Sequence, residues 1–201
     1  MSNAIKYIDK ITEHLQVTKT IIEDHLLISE MHSISNILIS VLQNKGRILI
    51  CGNGGSAADA QHIATELVSR FLLERKAIDA EALTVNTSTL TAVGNDYGFD
   101  HIFSRQVEAK GRPGDVLIGI STSGQSPNII NAITTAKHMG MVTIGFTGYF
   151  RDSPLAVNTD QCICIPSTST PRIQEMHIMI GHILCEDIEQ RMYEKEEEYN
   201  G

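Results

Sequence analysis

Basic residues are scarce in this sequence: 16 Lys and Arg stand against 24 Asp and Glu, a formal charge of −8. Nucleic-acid binding draws most of its affinity from clustered cations, so general nucleic-acid binding is excluded as a function class. Seven of the acids lie in 186–201 against Arg191 and Lys195 alone, and this stretch reads as a solvated helix end with an acidic tail at 196–201. Cysteine is also sparse. Cys51, Cys162, Cys164 and Cys185 contain no Cys-x-x-Cys pair and lack the density of a secreted scaffold, which points to a reducing cytoplasm without disulfides. No apolar run reaches the ~18 to 20 residues of a membrane-spanning helix, and residues 1–10 lack a basic patch followed by an apolar stretch. Neither export nor membrane insertion is expected. Glycine and proline are missing from the first 45 residues, which leaves nothing there to interrupt a helix.

What is present suffices for one substantial core: 42% of the residues are apolar and 20% charged, too apolar a balance for a disordered chain. Ile34, Ile37, Leu38, Val41 and Leu42 follow the stripe of an amphipathic helix that ends before Gly46. Ile5, Ile8, Ile11, Leu15 and Ile22 predict a long helix ahead of it, an arm of the kind that finds its burial in another subunit. Beyond Arg47 the pattern changes to short apolar runs at 47–51, 82–85, 115–120, 142–146 and 161–165, each closed by Gly, Ser, Asn, Thr or Pro. Helix-compatible stretches at 56–73, 127–138 and 171–193 separate them. The alternation predicts a three-layer α/β domain around a five-stranded parallel sheet, with an N-terminal helical extension over 1–45, a core with the last helix over 46–195, and the tail. Ligands in such sheets bind at the carboxyl ends of the strands, so the loops after the first and third runs are the places to look for chemistry.

The first of these loops is Gly52-Asn53-Gly54-Gly55-Ser56, three glycines at a helix start. It exposes backbone N–H groups but has neither the spacing of a dinucleotide fingerprint nor the Gly-Lys-Ser/Thr of a nucleoside-triphosphate loop, and a plain tight turn would look the same. The second is Ser121-Thr122-Ser123-Gly124-Gln125-Ser126. An ordinary cap needs one hydroxyl, whereas four of them at the positive end of a helix form an anion site without Lys or Arg. On the helix after the glycine loop, His62 and Glu66 stand at i and i+4, a pair suited to zinc, to acid/base work or to a plain surface hydrogen bond. Gln174, His177 and His182 lie on the last helix, and spacing alone does not say which histidine faces the cleft. Asn95 and Asp96 fall in a turn-rich segment, and Cys162 and Cys164 share one face of a strand, where burial explains them better than a metal, since no second thiolate pair exists.

Taken in order, Cys51-Gly-Asn-Gly-Gly-Ser-Ala-Ala-Asp-Ala-Gln-His62, Glu66, Gly94-Asn-Asp-Tyr-Gly98, the Ser121–Ser126 loop, Arg172-Ile-Gln-Glu175 and His182 resemble the phosphoheptose isomerases, members of the sugar isomerase (SIS) fold family. The resemblance runs from the N-terminal helices to about Arg191. It implies interconversion of sedoheptulose 7-phosphate with D-glycero-D-manno-heptose 7-phosphate through an enediol, the first step of ADP- or GDP-heptose synthesis for lipopolysaccharide or other surface glycans. By the same resemblance Asn53, Gly54, Gly55, Glu66, Asn95, Asp96, Ser121, Thr122, Ser123, Ser126 and Gln174 contact the phosphorylated seven-carbon sugar. His62, Glu66, Gln174 and His182 hold one zinc ion per subunit, and Glu66 and His182 form the acid/base pair. The family further implies a homotetramer with sites at subunit interfaces, so that His182 or the loop around Asn95 completes a site begun by a neighbour's His62 and Glu66. The alternative is a non-catalytic SIS protein that binds the bacterial replication initiator or senses sugar phosphates, against which the carboxylate at Glu66 is the discriminating feature.

Overall fold

Five strands pair in parallel in the order β2-β1-β3-β4-β5, namely β1 (Ile48–Gly52), β2 (Ala80–Ala82), β3 (Val116–Ile120), β4 (Val142–Thr147) and β5 (Gln161–Cys164). Every residue of β1 and β3 is buried, as befits central strands covered on both faces. The structure is a computed structural model and describes residues 3–193, so the tail expected at 196–201 lies outside the described residues.

Alternate strand residues feed two separate cores. On one face Ile48, Ile50, Val116, Ile118, Ile144 and Phe146 meet helices α1 (Asn3–Glu23), α2 (His25–Gln43), α3 (Gly55–Val68) and α8 (Thr170–Tyr193). On the other, Leu49, Cys51 and Leu117 meet α5 (Ser104–Lys110), α6 (Pro127–His138) and α7 (Pro154–Asn158), with Leu90 and Val93 of α4 (Thr87–Asp96) packed at the margin. These are the three layers the alternation predicts.

Three expectations about the elements need correction. The second strand lies at 80–82, and its ladder closes with the bond from the Leu83 N–H to the Ile50 carbonyl, 2.8 Å away. Helix α3 stops at Val68 rather than running to 73, since the N–H groups of Phe71, Leu72 and Leu73 turn onto the Glu189 carboxylate. The segment holding Asn95 and Asp96 is the last turn of α4, started by Asn86, whose side chain accepts from the Thr89 N–H.

The N-terminal helices divide their burial. Leu27, Ile34, Leu38 and Val41 of α2 belong to the core, whereas the α1 stripe of Ile5, Ile8, Ile11, Leu15 and Ile22 is exposed, as are Leu26 and Ile28. Helix α2 is long and apolar enough to cross a membrane by length and composition. Its buried residues instead join it to α8 and the sheet.

The strand order reverses direction between β1 and β3, and at such a switch point the loops diverge to opposite faces and leave a crevice. The glycine loop follows β1 and the serine loop follows β3, so both line that crevice.

Candidate active site

Two helices begin at the crevice without a side-chain cap. Gly54 precedes α3 with φ +56°, a left-handed conformation that glycine adopts freely, and Ser126 precedes α6 without bonding that helix's backbone through its hydroxyl. The Ser126 hydroxyl instead meets that of Ser121 at 3.0 Å. Ser123 Oγ accepts from the Gln125 N–H, and the Thr122 carbonyl accepts from the Gly148 N–H at 3.1 Å. Hydroxyls that face one another across a helix start, rather than sealing it, suit an incoming anion. The single-cap reading of this loop fails on that geometry.

A reciprocal amide pair ties the two loops together. Asn53 Nδ2 donates to Asn128 Oδ1 and Asn128 Nδ2 donates to Asn53 Oδ1, both at 2.9 Å. Asn128 is buried on α6, and sequence reasoning missed it: a lone Asn at the second position of a helix carries no signal until its partner is located.

Helices α3 and α8 run side by side, and Gly181 lets them approach. A Cβ at Gly181 would lie 2.7 Å from Ile63 Cδ1, a contact no real side chain makes. That approach brings His182 Nε2 to 2.8 Å from His62 Nε2, while His62 Nε2 stands 3.2 Å from Glu66 Oε1. Ligand-type atoms of His62, Glu66 and His182 all lie within 4.8 Å of one another. Two imidazole nitrogens and a carboxylate oxygen are a zinc donor set, and donors on a tetrahedral ion at ~2.0 to 2.1 Å stand roughly 3.3 Å apart, so the residues fit the ion. The His62 side chain is 48% exposed, which leaves the cluster reachable from solvent. Phe71 stacks over the His182 ring at 5.6 Å.

Comparison with known proteins adds a family to this geometry. The SIS domain model matches residues 6–148. The phosphoheptose isomerase of Sulfurimonas denitrificans is 48% identical over 94% of this chain and 96% of its own, and that of Clostridium acetobutylicum is 50% identical over 92% and 93%. This chain belongs to the phosphoheptose isomerase family. Among solved structures, a phosphoheptose isomerase from Neisseria gonorrhoeae superposes with a TM-score of 0.87 at 41% identity, covering 94% of this chain and all of that one. One from Francisella tularensis gives 0.89 at 36% identity with the same coverage. The domain model ends before α8, so the superfamily match alone leaves out His182.

Within this phosphoheptose isomerase fold, the choice between the two histidines of α8 is decided by burial. His177 is fully buried, its Nε2–H donates to the Thr147 carbonyl at 3.1 Å, and burial pushes its imidazole down from 6.5 to about 4 despite that bond. It is a neutral core residue, and His182 is the one in the cluster. His182 also meets His62 and Glu66 of its own chain.

Gln174 is placed elsewhere. Its amide lies against Gly55, close enough that a Cβ there would fall 2.9 Å from Gln174 Cδ, and its Cα is eight residues, about 12 Å, along α8 from that of His182. Asn95 and Asp96 are exposed and bond each other, Nδ2 to Oδ1 at 2.8 Å. Their helix walls a cavity of about 470 Å³ that Asn53, Gly54, Thr84, Gly94 and Phe99 also line. Asp59, one turn before His62, was also missed: burial raises its carboxyl to about 6, while His62 pulls the other way.

Proposed function

We propose that this chain interconverts sedoheptulose 7-phosphate and D-glycero-D-manno-heptose 7-phosphate, the step that opens heptose supply for surface glycans, in the cytoplasm. The observation that carries this reading is the convergence of His62, Glu66 and His182 in a chain that also presents two uncapped helix starts at its crevice and is about half identical to phosphoheptose isomerases. An aldose-ketose isomerase must move a proton between adjacent carbons while a neighbouring oxygen becomes negative. Glu66 is the base; His62 approaches its Oε1, so the proton transfer falls to Oε2. His182 exchanges protons with the sugar oxygens, and Phe71 and His62 fix the plane of its ring.

Ser121, Thr122, Ser123 and Ser126 hold the 7-phosphate with the N–H groups of α6, and Asn53, Gly54, Gly55, Asn95, Asp96 and Gln174 contact the sugar chain. The Asn53 amide is already engaged by Asn128, so its contribution comes from the backbone of the glycine loop. Zinc on His62, Glu66 and His182 would polarise the sugar carbonyl when bound. Gln174, about 12 Å along α8 in the same chain, joins that ion or its substrate from another copy in a homotetramer whose N-terminal helices cover one another. The non-catalytic alternative is not favoured, because Glu66 stands in the cluster.

Isomerisation in heavy water tests the reading. Deuterium should enter the sugar at C1 or C2 with wild-type protein, and its absence under conditions of full phosphate binding would refute an enediol route.

A further inference from the structure

The last carbonyls of α3 need donors, and one buried side chain supplies them. Arg75 Nη2 donates to the Glu66 carbonyl at 2.8 Å, and Nη1 donates to Leu67 at 2.7 Å and to Lys76 at 3.1 Å. Its Nε donates to Glu189 Oε1 at 2.8 Å, and both side chains are only 1% exposed. Glu189 also accepts from the N–H groups of Phe71, Leu72 and Leu73 at 2.7 to 3.0 Å. Burial pushes its carboxyl up, but these three donors and Arg75 outweigh it and hold the group below its ordinary value.

This arrangement touches the site from both sides. Glu189 lies seven residues after His182, two turns on, and so occupies the same face of α8. The turn it holds presents Phe71 to the His182 ring, while its partner Arg75 bonds the backbone of Glu66 itself. A buried ion pair is weak evidence of stability, since apolar side chains of equal volume would join two helices as well. A forked cation and a two-oxygen acceptor do what apolar groups do not: they fix the helix end and the turn after it relative to α8.

We propose that Arg75 and Glu189 are positioning residues for the isomerisation, which hold Glu66 through the end of α3 and the His182 ring through Phe71. The inference rests on the isomerase reading above, and two readouts separate them. In metal-free protein the Phe71 ring current displaces the His182 side-chain NMR resonances; with sedoheptulose 7-phosphate, kcat and KM are measured apart. Glu189→Gln should move the His182 resonances and lower kcat roughly 10-fold to 100-fold with KM within threefold, as expected when catalytic groups shift by fractions of an ångström. If that variant does not fold, Arg75→Lys carries the test, since it keeps the charge but loses the fork, with the same displacement and a fall in kcat of several-fold. Folded variants that keep both the resonances and kcat, or that lose only thermal stability or only KM, would overturn the proposal. A wild-type protein without turnover would refute the isomerase reading, while unmoved His182 resonances in the variants would refute the positioning.

Discussion

Glu66→Gln keeps the size of the side chain and removes its basicity, so turnover should fall by at least ~10²-fold while affinity for inorganic phosphate, measured by calorimetry, stays within a few-fold. His182→Ala should lose a comparable factor, and His177→Ala should instead lower stability, because one ring reaches the cluster and the other fills the core. His177 also sets a pH dependence. The unfolded chain takes up the imidazole proton near 6.5 and the folded chain only near 4, so acid favours the unfolded state across that interval. Stability from this residue is full above about pH 6.5 and declines by about 3 kcal/mol towards pH 4. Urea midpoints at pH 7 and pH 4.5 should show the loss, and His177→Gln, which can still donate to Thr147, should flatten it.

The loops and helices act as units, and their variants should separate binding from chemistry. Ser121→Ala with Ser126→Ala removes two facing hydroxyls, so KM for the sugar phosphate should rise about tenfold or more with a smaller change in kcat. Gly181→Ala would press a methyl group onto Ile63, cost about 1–3 kcal/mol in thermal or urea unfolding, and lower kcat by moving His182 away from His62. Element by element, the sequence was informative where pattern and burial agree. Strands β1, β3, β4 and β5 are apolar runs closed by breakers, and α6 and α8 lie almost where their periodicity puts them. Strand β2 is Ala-Glu-Ala at the sheet edge, with no β-branched residue to announce it, and the more strand-like Val85 lies beyond it. Helix α4 has no buried residue and therefore no stripe; only the Asn86 cap and the hydroxyl-rich first turn marked its start. At the site, His62 and Glu66 were visible as an i, i+4 pair. The choice of His182 over His177 depends on which side of α8 meets α3, and Arg75, Glu189 and Asn128 gain meaning only from partners more than 70 residues away.

At the scale of the molecule, the exposed apolar face of α1 and the distance of Gln174 from the cluster both bear on assembly. Light scattering should give the mass of four chains, and a monomer with full activity would refute shared sites. Mixing inactive Gln174→Ala with inactive Glu66→Gln subunits should restore part of the activity, since the two positions would meet across an interface. Glu66→Gln mixed with His182→Ala should restore none, because those residues share one chain. The same pair of helices has a consequence for how the protein is made. His62 and His182 are 120 residues apart, and α8 leaves the ribosome after all five strands. A nascent chain ending near Cys164 already holds all five strands and both the glycine and the serine loop, but the apolar side of α2 and α3 is uncovered and His182 does not yet stand opposite Glu66. Such a fragment would retain sugar phosphate without converting it and would tend to aggregate through the open side until the final helix docks. Synthesis order thus withholds reactivity until α8 has been made, and a premature stop before α8 would yield a sticky sugar-phosphate trap rather than a slow enzyme.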